Sequence, residues 1–537
     1  MMQVMAGVML LAAVFAAIIL GARKAQQSIQ SSKYQSMLKY GLQTQLLQDK
    51  HELHRFGLAQ QLRRRWGGLS AFGLSFNTMA LIGGAAFLFG PAIGEGGPSV
   101  IGFGFPMLAL FALAVSASLA ELASAVPTAG GIYHAASALG GRKWGWRTGW
   151  LHLLGHLAML ALMNCAFAAL LEEVLSARFG YEAAVWSFWC LAILITVLQA
   201  AINHWGSRSL SIHSAGGAML QVIVGMSMLA GLVWLFWPGG YSPVLLYQLQ
   251  NAEWNGTVHA GAFISGTMLL LKLFVGLDGA AHGAEETIEP RIRVPWAIYL
   301  STAYTFVVGF ILFSFILLSV TRMEGSASMG LFLQAATASW GGSSIVVFLV
   351  FLSLWSSGLQ SMTLCSRILF SLARDEALPM SKRWSAVSVK LQVPVQAVWL
   401  SACLSLIMLV TAFLSNRNET VLLLLTFAIV CLNLSYAVPI ALKLKRGKKD
   451  SRLLDAPWHL GGWSTAVNGI ALAWLIIAAG LAAGFIDYWG GIAASSVFVL
   501  ASLIEWKYRK RYLFLVQSQV KRSPKELYRM ERKFPLN

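Results

Sequence analysis

Charged residues fill only 12% of the 537 positions, and acidic ones are the scarcer sign, with 22 Asp and Glu against 40 Lys and Arg. So little charge beside 57% hydrophobic residues and a mean hydropathy of +0.65 excludes an ordinary soluble globular protein. Cysteine is also sparse. Cys165, Cys190, Cys365, Cys403 and Cys431 all lie in apolar runs without ligand spacing, which excludes a disulfide framework and a cysteine zinc site. No nucleophile paired with a base and no metal cluster stands out, so neither an enzyme nor a cofactor is expected. The stretch HGAEE at 282–286 does not make a zinc helix either, because no second histidine follows at ligand spacing. The net charge of +18 would suit nucleic acid on a soluble domain. Here the basic residues collect in loops between apolar runs, which indicates membrane topology and no nucleic-acid partner.

Long apolar runs are what the chain does have. The first, within 1–21, is followed by Arg23 and Lys24 and reads as an uncleaved anchor with its N-terminus outside. A polar linker over 22–68 carries helix around 34–61 and ends in Arg63, Arg64 and Arg65. Twelve further runs follow, each long enough to cross a hydrocarbon core as a helix of about 20 residues. Five lie within 69–236, five within 263–445 and two within 464–506, and 507–537 forms a tail. Helices are expected because lipid leaves no unpaired backbone group satisfied. With this layout 35 Lys and Arg fall on one side of the membrane and 3 on the other, with Lys272 and Arg367 left inside helices. That bias places the linker and the C-terminal tail in the cytoplasm.

Two of the runs are interrupted by glycine. LIGGAAFLFG, at 81–90, sits in the first of the twelve and LLLKLFVGLDGAAHGAEE, at 269–286, in the sixth. Five helices separate the start of one unit from the start of the next, so the second inserts upside down. The expected architecture is all-α, with an inverted five-plus-five repeat, two C-terminal helices and an extra N-terminal segment. Glycine-broken segments in corresponding halves point to a secondary-transporter site at the repeat interface.

Four stretches carry a resemblance: DKHELHRFGLAQQLRRRWGGLSAFGLSFN (49–77), AELASAVPTAGGIYHAAS (120–137), GLDGAAHGAEET (276–287) and SRILFSLARDEALP (366–379), with APWHLGGWSTAVNGIALAW (456–474) near the end. They resemble the amino acid, polyamine and organocation superfamily, most closely its amino acid, GABA and choline permease branch. The N-terminal anchor departs from that pattern. The resemblance implies the leucine-transporter fold and uptake by alternating access. It places an unwound first helix on Met79, Ala80, Leu81, Ile82, Gly83 and Gly84, and a sixth-helix break on Phe274 to Gly279, through Gly276.

A broken helix exposes N–H groups at the start of its second half and carbonyls at the end of its first. Amides at Gly83, Gly84 and Ala85 suit a substrate carboxylate, and carbonyls near Met79, Ala80, Phe274 and Val275 suit an ammonium. The glycines also serve close helix packing. Asp278, ionisable at mid-membrane, is the leading functional residue, binding an amine or carrying a proton; it also suits a cap for Ala280 onward. Lys272 either pairs with Asp278, attracts a carboxylate or snorkels outward. His282, Glu285 and Glu286 stand on the inner half of the sixth helix. Bonds to Arg374 or to 127–133 would make them an inner gate, with Glu121 joining. Ser356 and Ser357 enter only if coupling is to sodium, and His156 and Asn164 are polar groups of the third helix.

The expected protein is a plasma-membrane permease, or inner-membrane if bacterial, importing a small amino acid or amino-acid-like amine on a gradient of protons rather than sodium. Choline or another quaternary amine is the alternative cargo, held by aromatic faces such as Phe87, Phe274 and Trp355. A sensor that binds without transporting is the alternative from another class.

Overall fold

The computed structural model describes residues 2–31, 41–236, 242–249, 259–319, 343–415, 419–446, 453, 455–507 and 522–534. Most of these residues are helical, and the one β-type pairing among them is an isolated parallel bridge between Trp66 and Thr287. Twelve membrane-length apolar stretches are present, joined by a shorter apolar helix at Tyr488–Ile504. The protein is an all-α polytopic membrane protein.

The N-terminal helix α1 (Met2–Ser31) runs along the outside of the bundle. It is held by Tyr299, whose hydroxyl donates to the carbonyls of Ala17 and Ile18 at 2.9 and 3.1 Å. The linker helix is α2 (Leu42–Arg55), which ends before the 61 expected from sequence, and 34–40 of that expected helix lie outside the described residues. Core helix 1 is split into α3 (Gly68–Met79) and α4 (Leu81–Gly96). Core helix 2 is α5 (Phe105–Ala125), entered through a π-helical turn at Val100–Gly104. After the short α6 (Ile132–Gly140), core helices 3 to 5 are α7 (Arg142–Phe179), α8 (Val185–His204) and α9 (Ser207–Phe236).

Core helix 6 is the second split helix. It comprises α10 (Ala260–Leu270), a 3-10 turn at Leu271–Phe274 and a single helical turn, α11 (Gly279–His282). Core helices 7 and 8 are α12 (Pro290–Ser319) and α13 (Ser343–Arg374). After the short α14 (Ser381–Trp384), core helices 9 to 12 are α15 (Val395–Ser415), α16 (Thr420–Arg446), α17 (Ser464–Phe485) and α18 (Tyr488–Lys507). The tail helix α19 (Pro524–Glu531) is closed by a Ser523/Glu526 capping box.

Packing brings the two split helices to the centre. α3 lies against α9, α11, α12 and α13, and α4 lies against α10. α7 is wedged between α13 and α16. The two breaks therefore face each other inside a shell of unbroken helices, where the freed backbone groups find protein partners in place of lipid.

Candidate functional site

The first break falls at Ala80, three residues before the glycine pair. Ala80 is left-handed, with φ 52° and ψ 58°, a conformation that costs an L-residue roughly 1–2 kcal/mol and marks an imposed backbone. Gly83 and Gly84 lie in the first turn of α4 and are packed: a methyl on Gly83 would stand 2.9 Å from the Leu354 nitrogen, and one on Gly84 2.8 Å from the Leu273 side chain. Their amides have partners. Gly83 N–H donates to Ser353 Oγ at 2.9 Å and Gly84 N–H to the Ala80 carbonyl at 2.6 Å.

In the sixth helix the chain turns extended at Val275 (φ −100°, ψ 141°) and then left-handed at Gly276 (φ +85°). Gly276 is required twice over, by that φ and because a methyl there would stand 2.6 Å from Thr78 Cγ2 of the first break. Phe274 is buried against Phe105, ring centroids 5.1 Å apart.

Lys272 spans the gap between the breaks. It is fully buried. Its ammonium donates to the Met79 carbonyl at 2.7 Å and to that of Thr78 at 3.4 Å, and no carboxylate pairs with it among the described residues. It neither snorkels outward nor pairs with Asp278. The αL turn at Ala80 directs the last carbonyls of α3 toward it, a feature no neighbour in sequence reveals. The same side chain passes Gly84, where an added methyl would meet Lys272 Cδ at 3.4 Å and Nζ at 3.7 Å. The cation therefore stands beside the N-terminal turn of α4, where helix-end amides and an ammonium favour an anion together. Ser357 Oγ–H also donates to the Thr78 carbonyl, at 3.1 Å, and Ser356 is buried on the same helix.

Asp278 is fully buried and does not cap α11. The Ala280 amide donates to Ser75 Oγ at 2.9 Å instead. The carboxylate is turned to core helices 3 and 10: Oδ2 lies 2.9 Å from His152 Nε2 and 3.1 Å from His282 Nε2, Oδ1 lies 3.5 Å from His156 Nε2, and Tyr436 donates its hydroxyl to Oδ1. Gly279 sits close to α3, where a methyl in place of its hydrogen would stand 2.7 Å from the Leu74 carbonyl. His152 went unnoticed in the sequence. The available signal was HLLGH at 152–156, two histidines one turn apart, with the same spacing between Asp278 and His282.

The end of the bundle nearest the linker is closed by ion pairs. Glu285 makes a bidentate pair with Arg374 at 2.7 and 2.9 Å and accepts the Ala129 amide at 2.9 Å. Glu286 pairs with Arg367 at 2.8 Å. Beneath them the linker docks: the Arg65 and Trp66 amides both donate to the Glu286 carbonyl at 2.8 Å, and Arg64 donates to those of Ala284 and Thr287 at 3.0 and 2.7 Å. Glu121 stands apart from this group. It pairs with Lys443 and accepts from the Leu460 amide at 2.7 Å and Ser464 Oγ at 2.8 Å, because α5 packs along α17. It thus ties α5 to α16 and α17.

The tail closes over the linker, with Glu531 held by Lys50 at 2.7 Å, His54 at 2.7 Å and the Gln60 amide at 2.8 Å. The linker and this part of the tail therefore share one face of the molecule. Asp49 on α2 accepts the Glu289 amide at 2.9 Å. Burial pushes its carboxyl from 3.8 up to about 6, against the pull of Arg64. The folded state then holds a proton that the unfolded state has lost, so stability falls as pH rises from about 4 through 6, by about 3 kcal/mol in total. Asp49→Asn is expected to flatten that dependence and to raise the thermal midpoint above pH 6. Melting curves of both proteins from pH 5 to pH 7.5 check this, and an unchanged slope in the variant would contradict it.

The Amino acid permease family model matches residues 67–504. An amino-acid permease of rice (Oryza sativa subsp. japonica), the BAT1 homolog, is 27% identical over 448 residues, covering 79% of this chain and 85% of its own. The Arabidopsis thaliana amino-acid permease BAT1 is 26% identical over 452 residues, 79% and 86% of the two chains. The GABA-specific permease of Saccharomyces cerevisiae is 24% identical over 522 residues, 90% and 89%. With the match running from the linker's last residues through core helix 12, the chain belongs to the amino acid permease family of multi-pass membrane transporters.

Proposed function

We propose that this permease imports a small amino acid or amino-acid-like amine across the plasma membrane, driven by protons, by alternating access between inverted repeats over 69–236 and 263–445. The observation that carries the reading is Lys272, a buried ammonium between the two helix breaks and beside Gly84. A fixed cation there attracts a carboxylate and repels choline, since both charges would share one low-dielectric space. The candidate choline cage also lacks cohesion: Phe274 packs on Phe105 and Trp355 on Phe167.

In this reading the substrate carboxylate displaces Ser353 from the Gly83 amide and binds Lys272, with Gly84 and Ile82 forming the wall of the first turn. The substrate amine takes carbonyls along Phe274 to Gly276 and near Met79 and Ala80. Charged Lys272 binds the carboxylate, and loss of its proton on the inner side releases both, which couples import to the proton gradient. Lys272 occupies the carbonyls that a sodium ion would need beside Ser356 and Ser357, so proton coupling is favoured. Asp278 and Gly279 hinge the inner half of the sixth helix, and His282, Glu285 and Glu286 gate it. The basic linker and tail face the cytoplasm, supported by their shared face and their Lys and Arg content.

Uptake of labelled amino acids, GABA and choline into proteoliposomes tests the proposal. Saturable uptake of a carboxylate-bearing substrate, competed by its analogues and not by choline, is expected. Choline uptake, or ligand binding without transport, would overturn it.

A further inference from the structure

Beside Asp278, three imidazoles converge on one carboxylate with no exposure to solvent. His152 and His156 come from α7, one turn apart. Asp278 and His282 face them from the sixth helix, also one turn apart, and all four are buried. The donor atoms of the four lie within 4.8 Å of one another.

Hydrogen-bond partners fix two of the rings. His282 Nδ1 lies 3.0 Å from the Ala129 carbonyl, which can only accept, so Nδ1 carries the proton. His152 Nδ1 lies 2.9 Å from Ser435 Oγ, whose own hydrogen is committed to the Leu432 carbonyl at 2.7 Å, so this Nδ1 donates as well. In the neutral rings both Nε2 atoms are then bare lone pairs. They stand 2.8 Å apart, each within about 3 Å of Asp278 Oδ2. Such a corner is repulsive unless positive charge occupies it. His156 adds a second sign of an absent ligand: it is fully buried, and beyond the 3.5 Å approach of Nε2 to Asp278 Oδ1 neither ring nitrogen has a hydrogen-bond partner among the described residues.

We propose that His152, His156, Asp278 and His282 bind a divalent first-row transition metal, with zinc(II) as the type ion. Three nitrogens and one carboxylate oxygen are a common tetrahedral zinc set, with ligand atoms roughly 3.3–3.4 Å apart around bonds of about 2.0–2.1 Å. The contacts among His152, His282 and Asp278 and from His156 to Asp278, 2.8 to 3.5 Å, bracket that spacing, and the whole set lies within 4.8 Å, so a small inward turn of the His156 ring completes the shell. The outer groups are those a metal-bound imidazole uses: a backbone carbonyl behind His282, a hydroxyl behind His152 and a phenol on the carboxylate. Imidazole nitrogen disfavours magnesium and calcium, which take oxygen shells. Bound metal ties core helix 3 to the sixth-helix hinge and is expected to inhibit uptake. That consequence alone rests on the permease reading, whereas binding itself does not depend on the cargo.

The test is equilibrium dialysis of untagged, full-length protein in detergent against zinc, with magnesium and calcium as controls and zinc-edge X-ray absorption on the loaded sample. One zinc per chain in a shell containing about three imidazoles is expected. His156→Ala should weaken zinc binding at least about tenfold, and Ser435→Ala, which keeps all four ligands, should weaken it about tenfold by loosening His152. Absence of saturable zinc, a shell without imidazole, or an affinity unmoved by the variant that folds would overturn the proposal, since zinc held elsewhere shows the last of these.

Discussion

Lys272→Met is expected to cut proton-driven uptake about 100-fold while leaving a folded protein. Methionine keeps most of the length and the flexibility of the stem and removes the charge together with its N–H donors. A buried charge-assisted contact to a ligand is worth roughly 2–5 kcal/mol when one partner is deleted, and about 2.7 kcal/mol is already a hundredfold. The Met79 carbonyl also loses its Lys272 donor, while that of Thr78 keeps Ser357, so a lower thermal midpoint accompanies the loss. Lys272→Arg is the informative companion. It keeps the charge but carries a planar fork into a seat shaped for a compact ammonium, and a partial rescue of uptake marks charge as the working property. Full activity in Lys272→Met would show that the ammonium is structural.

The second large effect lies at the inner seal. Arg374→Ala leaves Glu285 buried with only the Ala129 amide for its charge, and breaking a buried pair from one side costs roughly 3–5 kcal/mol. In the proposed alternating-access cycle that energy is lost from the state closed at this end, so the population shifts toward the open one by roughly two to four decades. Cys365 reports the change without an engineered probe. It is buried in the same apolar cluster as Ala129, Tyr133 and Leu372, so it should resist maleimide in the parent protein and react in the variant, as read by site-resolved mass spectrometry. Arg374→Ala combined with Glu285→Ala removes both charges and is expected to recover part of the protection. Unchanged protection of Cys365 in the single variant would mean that the pair does not hold the gate.

The sequence made the spans legible because hydropathy and the Lys and Arg distribution are read along the chain. It located both interruptions to within a few residues because glycine marks backbone freedom. Its limits were spatial. The first break sits at Ala80, a residue with no intrinsic taste for the left-handed conformation, while Gly83 and Gly84 serve the approach of Leu354 and Leu273. Lys272 has no acid within a turn, so its inward course depends on where α3 ends across the interface. Glu121 found its partner in Lys443, over 300 positions away. The histidine cluster is the clearest case. Looking along one helix for metal spacing, as HGAEE invites, misses a donor set shared equally by two facing helices. Asp278 was legible because a carboxylate at mid-membrane needs a reason, yet its partners His152 and Tyr436 come from helices that the sequence does not order around it.

The most direct test of the central claim is accumulation in sodium-free proteoliposomes with an outside pH of about 5.5 and an inside pH of about 7.5, a gradient of two decades in proton activity. The account predicts that a labelled amino acid accumulates above its outside concentration, that a protonophore abolishes the accumulation, and that Lys272→Met shows none. Accumulation that requires sodium and ignores the pH gradient, or that survives in Lys272→Met, would contradict it.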